Sequence, residues 1–123
     1  MKNQAYRMAM LFDFYGDLLT DRQREFYDLY YNEDLSLAEI AENYGISRQG
    51  VRDVIVRAEA AMTEIEDKTH LIRRFFTMQD DLAAIDSAAA ALQEAAALGT
   101  LTDELAESVS RTIREHAAKL MQE

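Results

Sequence analysis

Residues 36–53 read Ser36-Leu37-Ala38-Glu39-Ile40-Ala41-Glu42-Asn43-Tyr44-Gly45-Ile46-Ser47-Arg48-Gln49-Gly50-Val51-Arg52-Asp53, and this stretch decides the fold. Ser36 and Glu39 stand three apart at the head of an apolar run. That is the spacing at which a hydroxyl and a carboxylate satisfy each other's free backbone amides at a helix start. Leu37, Ile40 and Ala41 then share one helical face. Gly45 can take the left-handed conformation that lets the chain leave a helix sharply. Ser47 follows as the next N-cap, and Val51, Val54, Ile55, Ala58, Met62 and Ile65 mark the buried stripe of a longer helix. A short support helix over Leu37–Asn43, a turn at Tyr44-Gly45-Ile46 and a second helix from Arg48 onward make a helix-turn-helix.

Upstream, Met8, Leu11, Phe12 and Tyr15 recur at helical spacing and predict a helix from Ala5 to Tyr15, stopped by Gly16. Thr20-Asp21-Arg22-Gln23 reads as another capping box. It opens a helix that carries Phe26, Leu29 and Tyr30 inward and ends around Asn32. Arg22 and Arg24 are read as pairing locally with Asp21, Glu25 and Asp28. Tyr27, Tyr30, Tyr31 and Tyr44 could form a stacking platform for bases. Their helical spacing among other core residues favours packing instead.

Downstream the character changes. Leu71, Phe75, Met78, Leu82, Ile85, Ala89, Leu92 and Ala96 recur by alternating steps of four and three, the seam of a coiled coil or close helix pair. Gly99 ends the run. Leu105, Val109, Ile113, Ala117 and Leu120 define a last amphipathic helix, which a short connection folds back on its predecessor. The expected organisation is all-α: a helix-turn-helix domain over residues 1–67, then an acidic, alanine-rich helical hairpin over 68–123. The boundary near residues 67–70 is soft enough for a helix to run through it. The hairpin seam has two readings, burial by the final helix or a dimer interface. The dimer is favoured, because a short hairpin hides little surface.

Composition narrows the function. With 49% hydrophobic residues, no proline and four glycines, helices with short connections are expected and a sheet-rich fold is not. No stretch approaches the roughly 20 apolar residues that cross a bilayer, and the first residues lack a secretory apolar run. A cytoplasmic protein without membrane insertion is the expectation. The chain has no Cys, hence no thiolate chemistry. His70 and His116 lie far apart with no metal-ligand spacing around either. No phosphate loop or nucleophile elbow appears. These features predict no enzyme and no cofactor.

Charge is the awkward feature. The net charge is −10; residues 1–74 carry 10 basic and 14 acidic side chains, and residues 75–123 carry 3 and 9. Nucleic-acid binding draws on Lys and Arg at phosphates, so the hairpin is a poor surface for it and a better one for protein. The candidate site is therefore the start of the longer helix: Ser47, Arg48, Gln49 and Arg52, with Arg57 beyond. Arg and Gln can each place two hydrogen bonds in the plane of a base edge. A hydroxyl and free amides at a helix start suit phosphate oxygens. Arg57 could reach phosphate or pair with Asp53 four residues back. Asp53 and Glu59 would repel phosphate if they faced it.

The run Leu19-Thr20, Arg22-Gln23-Arg24-Glu25, Leu29-Tyr30-Tyr31, Leu35 through Glu42, Gly45-Ile46-Ser47-Arg48, Val51-Arg52 and Arg57-Ala58 resembles region 4 of bacterial sigma factors, a reader of promoter −35 elements. Adding Leu11-Phe12-Asp13-Phe14-Tyr15, Leu18-Leu19-Thr20, Ser47 through Asp53 and Arg73-Arg74-Phe75, residues 5–75 resemble the YlxM family. These are small bacterial helix-turn-helix proteins whose genes lie beside those of the signal recognition particle. Beyond residue 75 no family pattern is evident. The chain lacks the other domains of a sigma factor, which argues against promoter initiation by itself. The resemblance implies a non-catalytic regulatory or accessory nucleic-acid-binding protein. DNA is the partner the motif implies, RNA and other components of the signal recognition particle those the gene neighbourhood suggests, and a homodimer the expected state. The competing expectation is a protein-interaction adaptor on the same scaffold, using its acidic surface and no nucleic acid.

Overall fold

The computed structural model describes residues 5–122. Its elements are α1 (Ala5–Tyr15), a 3-10 turn (Gly16–Leu18), α2 (Asp21–Tyr31), α3 (Leu37–Tyr44), α4 (Arg48–Thr69), α5 (Leu71–Leu98) and α6 (Asp103–Met121), with no strand among the described residues. The fold is all-α. The chain divides into two compact units, residues 1–72 and 73–123.

In the first unit α2, α3 and α4 each begin where a side chain caps them. Thr20 and Ser36 both form complete capping boxes, with Gln23 and Glu39 returning the bond. Ser47 Oγ accepts from the Gly50 amide at 3.0 Å. Helix α3 ends at Gly45, whose φ of 66° is left-handed; the Ile46 amide bonds back to the Ala41 carbonyl at 3.2 Å. That is the glycine-terminated helix end the sequence implied.

The core gathers Met8, Leu11 and Tyr15 from α1, Phe26, Tyr27 and Tyr30 from α2, Ile40 and Ala41 from α3, and Val51, Ile55, Ala58 and Met62 from α4, with Leu19 beside them. The tyrosines pack, as their spacing implied. Tyr27 is fully buried, donates to the Met8 carbonyl at 2.6 Å and stacks on Phe12 at 5.1 Å. Tyr31 donates to Glu59. Burial first, and the Glu59 carboxylate second, push both phenols well above their ordinary range. A neutral hydroxyl is easier to bury than a phenolate.

The sequence left open whether a helix runs through residues 67–70, and the structure breaks it. His70 takes a left-handed φ of 56°, and its amide bonds to the Glu66 carbonyl at 2.8 Å. No glycine marks the place, because side chains hold it. Glu66 Oε1 accepts from Tyr15 Oη at 2.5 Å and from the Ile72 amide at 3.0 Å. Thr69 Oγ1 lies 2.9 Å from Tyr15 Oη and accepts from the Leu71 amide at 3.3 Å. Thr69 and Glu66 thus cap the first turn of α5.

In the second unit, Gly99 (φ 70°) terminates α5. The Thr100 amide bonds to the Ala95 carbonyl at 2.9 Å and Thr102 caps α6. The face of α5 toward α6 carries Asp81, Ala84, Ile85, Ala88, Leu92 and Ala95, all buried or half-buried. Leu105, Val109, Ile113, Ala117 and Leu120 answer from α6 as expected. The seam expected on α5 is only partly used. Ile85 and Leu92 lie in the contact, whereas Leu71, Phe75, Met78, Leu82, Ala89 and Ala96 remain exposed. The sequence did not separate the faces because Ala84, Ala88 and Ala95 suit a close helix pair as well as the larger residues do.

Candidate nucleic-acid interface

The reading surface is built from the capped start of α4 and the turn before it. Ile40 and Ala41 of α3 meet Ile46, Val51 and Val54 in the core, which sets the second helix across the first. That packing leaves Ser47, Arg48, Gln49, Arg52, Asp53 and Arg57 exposed. Ser47 uses an acceptor position of its hydroxyl on the Gly50 amide, so its proton stays available to an outside oxygen. A Cβ at Gly50 would sit 3.2 Å from Ser47 Oγ, so glycine keeps the cap open.

Arg48 and Arg52, one turn apart, share a side of the helix. Neither forms an ion pair among the described residues. Arg57 lies roughly 140° around the helix from Arg52 at about 100° per residue, so it belongs to a different side. The ion pair considered for it with Asp53 does not form. Asp53 is engaged otherwise: Gln49 Nε2 donates to its Oδ1 at 3.0 Å. A carboxylate only accepts, so the amide must turn its nitrogen inward and its Oε1 outward. The i,i+4 spacing carried that signal in the sequence, where Asp53 was read as a charge opposed to phosphate or a partner for Arg57, and not as a partner for Gln49.

At the start of α2 the basic residues are occupied. Arg24 meets Asp21 at 3.2 Å and Asp17 at 3.4 Å, and Arg22 lies over the Phe26 ring at 5.4 Å. Phe26 in turn meets Tyr44 edge-on at 4.9 Å, and a hydrogen bond with Glu25, with burial, raises the Tyr44 phenol. These contacts make the α2 start a brace for the turn. Exposed Glu42 on α3 adds negative charge near the reading helix.

The family model described as "Putative helix-turn-helix protein, YlxM / p13 like" matches residues 2–102. The chain belongs to this family, UPF0122. A UPF0122 protein of Shouchella clausii is 44% identical over 105 residues, spanning 85% of this chain and 96% of that one. One from Acetivibrio thermocellus is 40% identical over 114 residues, 87% of this chain and 97% of the relative. A Bacillus thuringiensis member is 52% identical over 75 residues, 61% and 68% of the two chains. The UPF0122 pattern therefore extends past residue 75, where the sequence reading had ended it. It reaches through α5 and its Gly99 stop. Alanine-rich helix has few distinctive side chains, so its relatedness is hard to see in a single sequence.

Among the described residues no cluster of three or more His, Asp or Glu could hold a metal ion, and no helix is long and apolar enough to cross a membrane.

Proposed function

We propose that this UPF0122 protein is a non-catalytic, cytoplasmic, helix-turn-helix nucleic-acid-binding regulator or accessory factor, linked to protein targeting by the signal recognition particle. The observation that carries the reading is the exposed start of α4, where Arg48 and Arg52 stand unpaired beside the Ser47 cap. In this reading the start of α4 enters a groove. Arg48 and Gln49 meet base edges, Arg52 a base or phosphate, and the Ser47 hydroxyl with the first amides a phosphate. Arg57 reaches the backbone on another side. Duplex DNA is the leading partner and structured RNA of the particle the second. Residues 68–123 serve as a dimerisation region and pair two reading helices in a homodimer.

The net charge of −10 favours one rival, an adaptor that binds a basic protein through its acidic surface. The double variant Arg48→Ala with Arg52→Ala separates the two. Groove reading predicts a loss of ~100-fold in duplex affinity, on the order of 1–3 kcal/mol per contact. Adaptor binding predicts none. A double variant that held duplex as tightly as the parent would remove α4 from the site.

A further inference from the structure

Gln49 and Asp53, both exposed, stand one turn apart on α4 next to Arg48 and Arg52, and Gln49 Nε2 donates to Asp53 Oδ1 at 3.0 Å. A surface carboxylate at this place opposes the arginines, since it repels the phosphates they attract. Arg57, four residues on and so placed to neutralise it, forms no ion pair with it among the described residues. The Gln49 amide gives Asp53 a different use.

A glutamine amide by itself is ambiguous toward a base. It carries two N–H donors on one atom and an acceptor on the other, and half a turn exchanges them. With its nitrogen outward it offers two donors, which suit the O6 and N7 acceptors of guanine. With Oε1 and one N–H outward it offers an acceptor and a donor, which suit the N6 amine and N7 of adenine. Asp53 removes the ambiguity. Its carboxylate only accepts, so it holds one N–H of Gln49 and leaves Oε1 and the other N–H for an outside partner. The turned amide would set Oε1 against a carboxylate oxygen with no proton between them. In water such a pair biases the amide only about two-fold, the worth of a surface pair one turn apart. Inside a groove water no longer replaces the lost bond, and the bias grows.

We propose that Gln49 reads an adenine in the major groove of duplex DNA, and that Asp53 is the positioning residue that sets it for adenine over guanine. The proposal rests on the groove-reading function above and narrows its partner to DNA, because the major groove of an RNA helix is too deep and narrow for side chains to read. Asp53 gives up affinity for phosphate and gains selectivity among bases.

Selection from a pool of randomised duplex DNA by the full chain tests this, with Gln49→Ala, Asp53→Asn and Asp53→Glu run in parallel and circular dichroism checking the helix content of each. The parent should enrich sequences with a position at which adenine outcompetes guanine ~10–100-fold, the discrimination of a good bidentate contact. Gln49→Ala should erase the preference there and leave the neighbouring positions as they were. Asp53→Asn has the same shape but donates as well as accepts, so it allows both orientations of the amide. Its adenine-to-guanine ratio should fall ~10-fold, the worth of a hydrogen bond to a charged acceptor, while affinity for every duplex rises with the lost charge. Asp53→Glu keeps an acceptor-only group and should keep the ratio. A carboxylate that merely steadied the helix would not move a ratio between two bases. An adenine preference that survived Gln49→Ala, or a ratio unchanged by Asp53→Asn, would overturn the proposal and leave groove reading standing. A cytosine preference lost in Asp53→Asn would give that carboxylate a base contact of its own and overturn it likewise. A parent that enriched no duplex sequence would overturn the proposal together with the reading of DNA by α4.

Discussion

His116 Nδ1 lies 2.8 Å from Asp81 Oδ1, joining α6 to α5 across the hairpin. Asp81 is only 7% exposed, and in a unit so short of buried apolar side chains a satisfied polar pair sets the register of the two helices. His116, which the sequence showed only to lack metal-ligand spacing, sits at the hairpin interface.

Removing one member of that pair should loosen the hairpin and leave the helix-turn-helix untouched. Asp81→Ala strands a half-buried imidazole and should cost about 1–3 kcal/mol. Amide hydrogen exchange would show it as faster exchange within residues 78–95 and 105–120, with residues 26–62 unchanged. Asp81→Asn, which can still accept from the ring, should recover much of the protection. Equal acceleration in both units would mean that they unfold together.

The turn between α3 and α4 depends on Gly45. Its φ of 66° disfavours any L side chain, and nothing lies within 4 Å of where a Cβ would stand. The penalty of Gly45→Ala is therefore conformational alone, about 1–2 kcal/mol by chemical denaturation. Gly45→Asn should cost less, since asparagine tolerates the left-handed region better. Equal penalties for the two would argue that the turn relaxes into another conformation.

Glu66 accepts both from Tyr15 Oη and from the Ile72 amide. Glu66→Ala should destabilise the end of α4 by about 1–3 kcal/mol, whereas Tyr15→Phe, which leaves the α5 cap in place, should cost less. The amide protons of Leu71 and Ile72 report the difference. They should exchange faster in the first variant and little changed in the second.

Alkaline pH should weaken the first unit. In the unfolded chain Tyr27 and Tyr31 ionise near the ordinary value of 10.0, while the folded protein holds both well above it by burial and the nearby Glu59. The unfolded state therefore sheds protons that the folded state keeps. The contribution is whole below about pH 10 and declines as pH rises further. The urea midpoint should fall between about pH 9 and pH 11, and Tyr31→Phe should shrink that fall. A midpoint independent of pH across this window would show that the phenols are not held neutral by the fold.

Much of this protein is decided by local chemistry. Thr20, Ser36 and Ser47 start helices because a hydroxyl placed one residue ahead of a turn satisfies free amides. Gly45 and Gly99 end helices because they lack a Cβ. The inward stripes of α3 and α4 follow from a 3.6-residue period, so the helix-turn-helix and its exposed Ser47, Arg48, Gln49 and Arg52 are determined by the sequence alone. Three features needed the tertiary structure. The break at His70 has no glycine and depends on Tyr15, more than fifty residues away, reaching Glu66 and Thr69. The pairing of Asp81 with His116 spans 35 residues. The choice of which alanine-lined face of α5 meets α6 rests on small differences among near-equivalent faces. Local rules cannot decide these three, because each is set by a partner distant in the chain whose position exists only once the helices have packed.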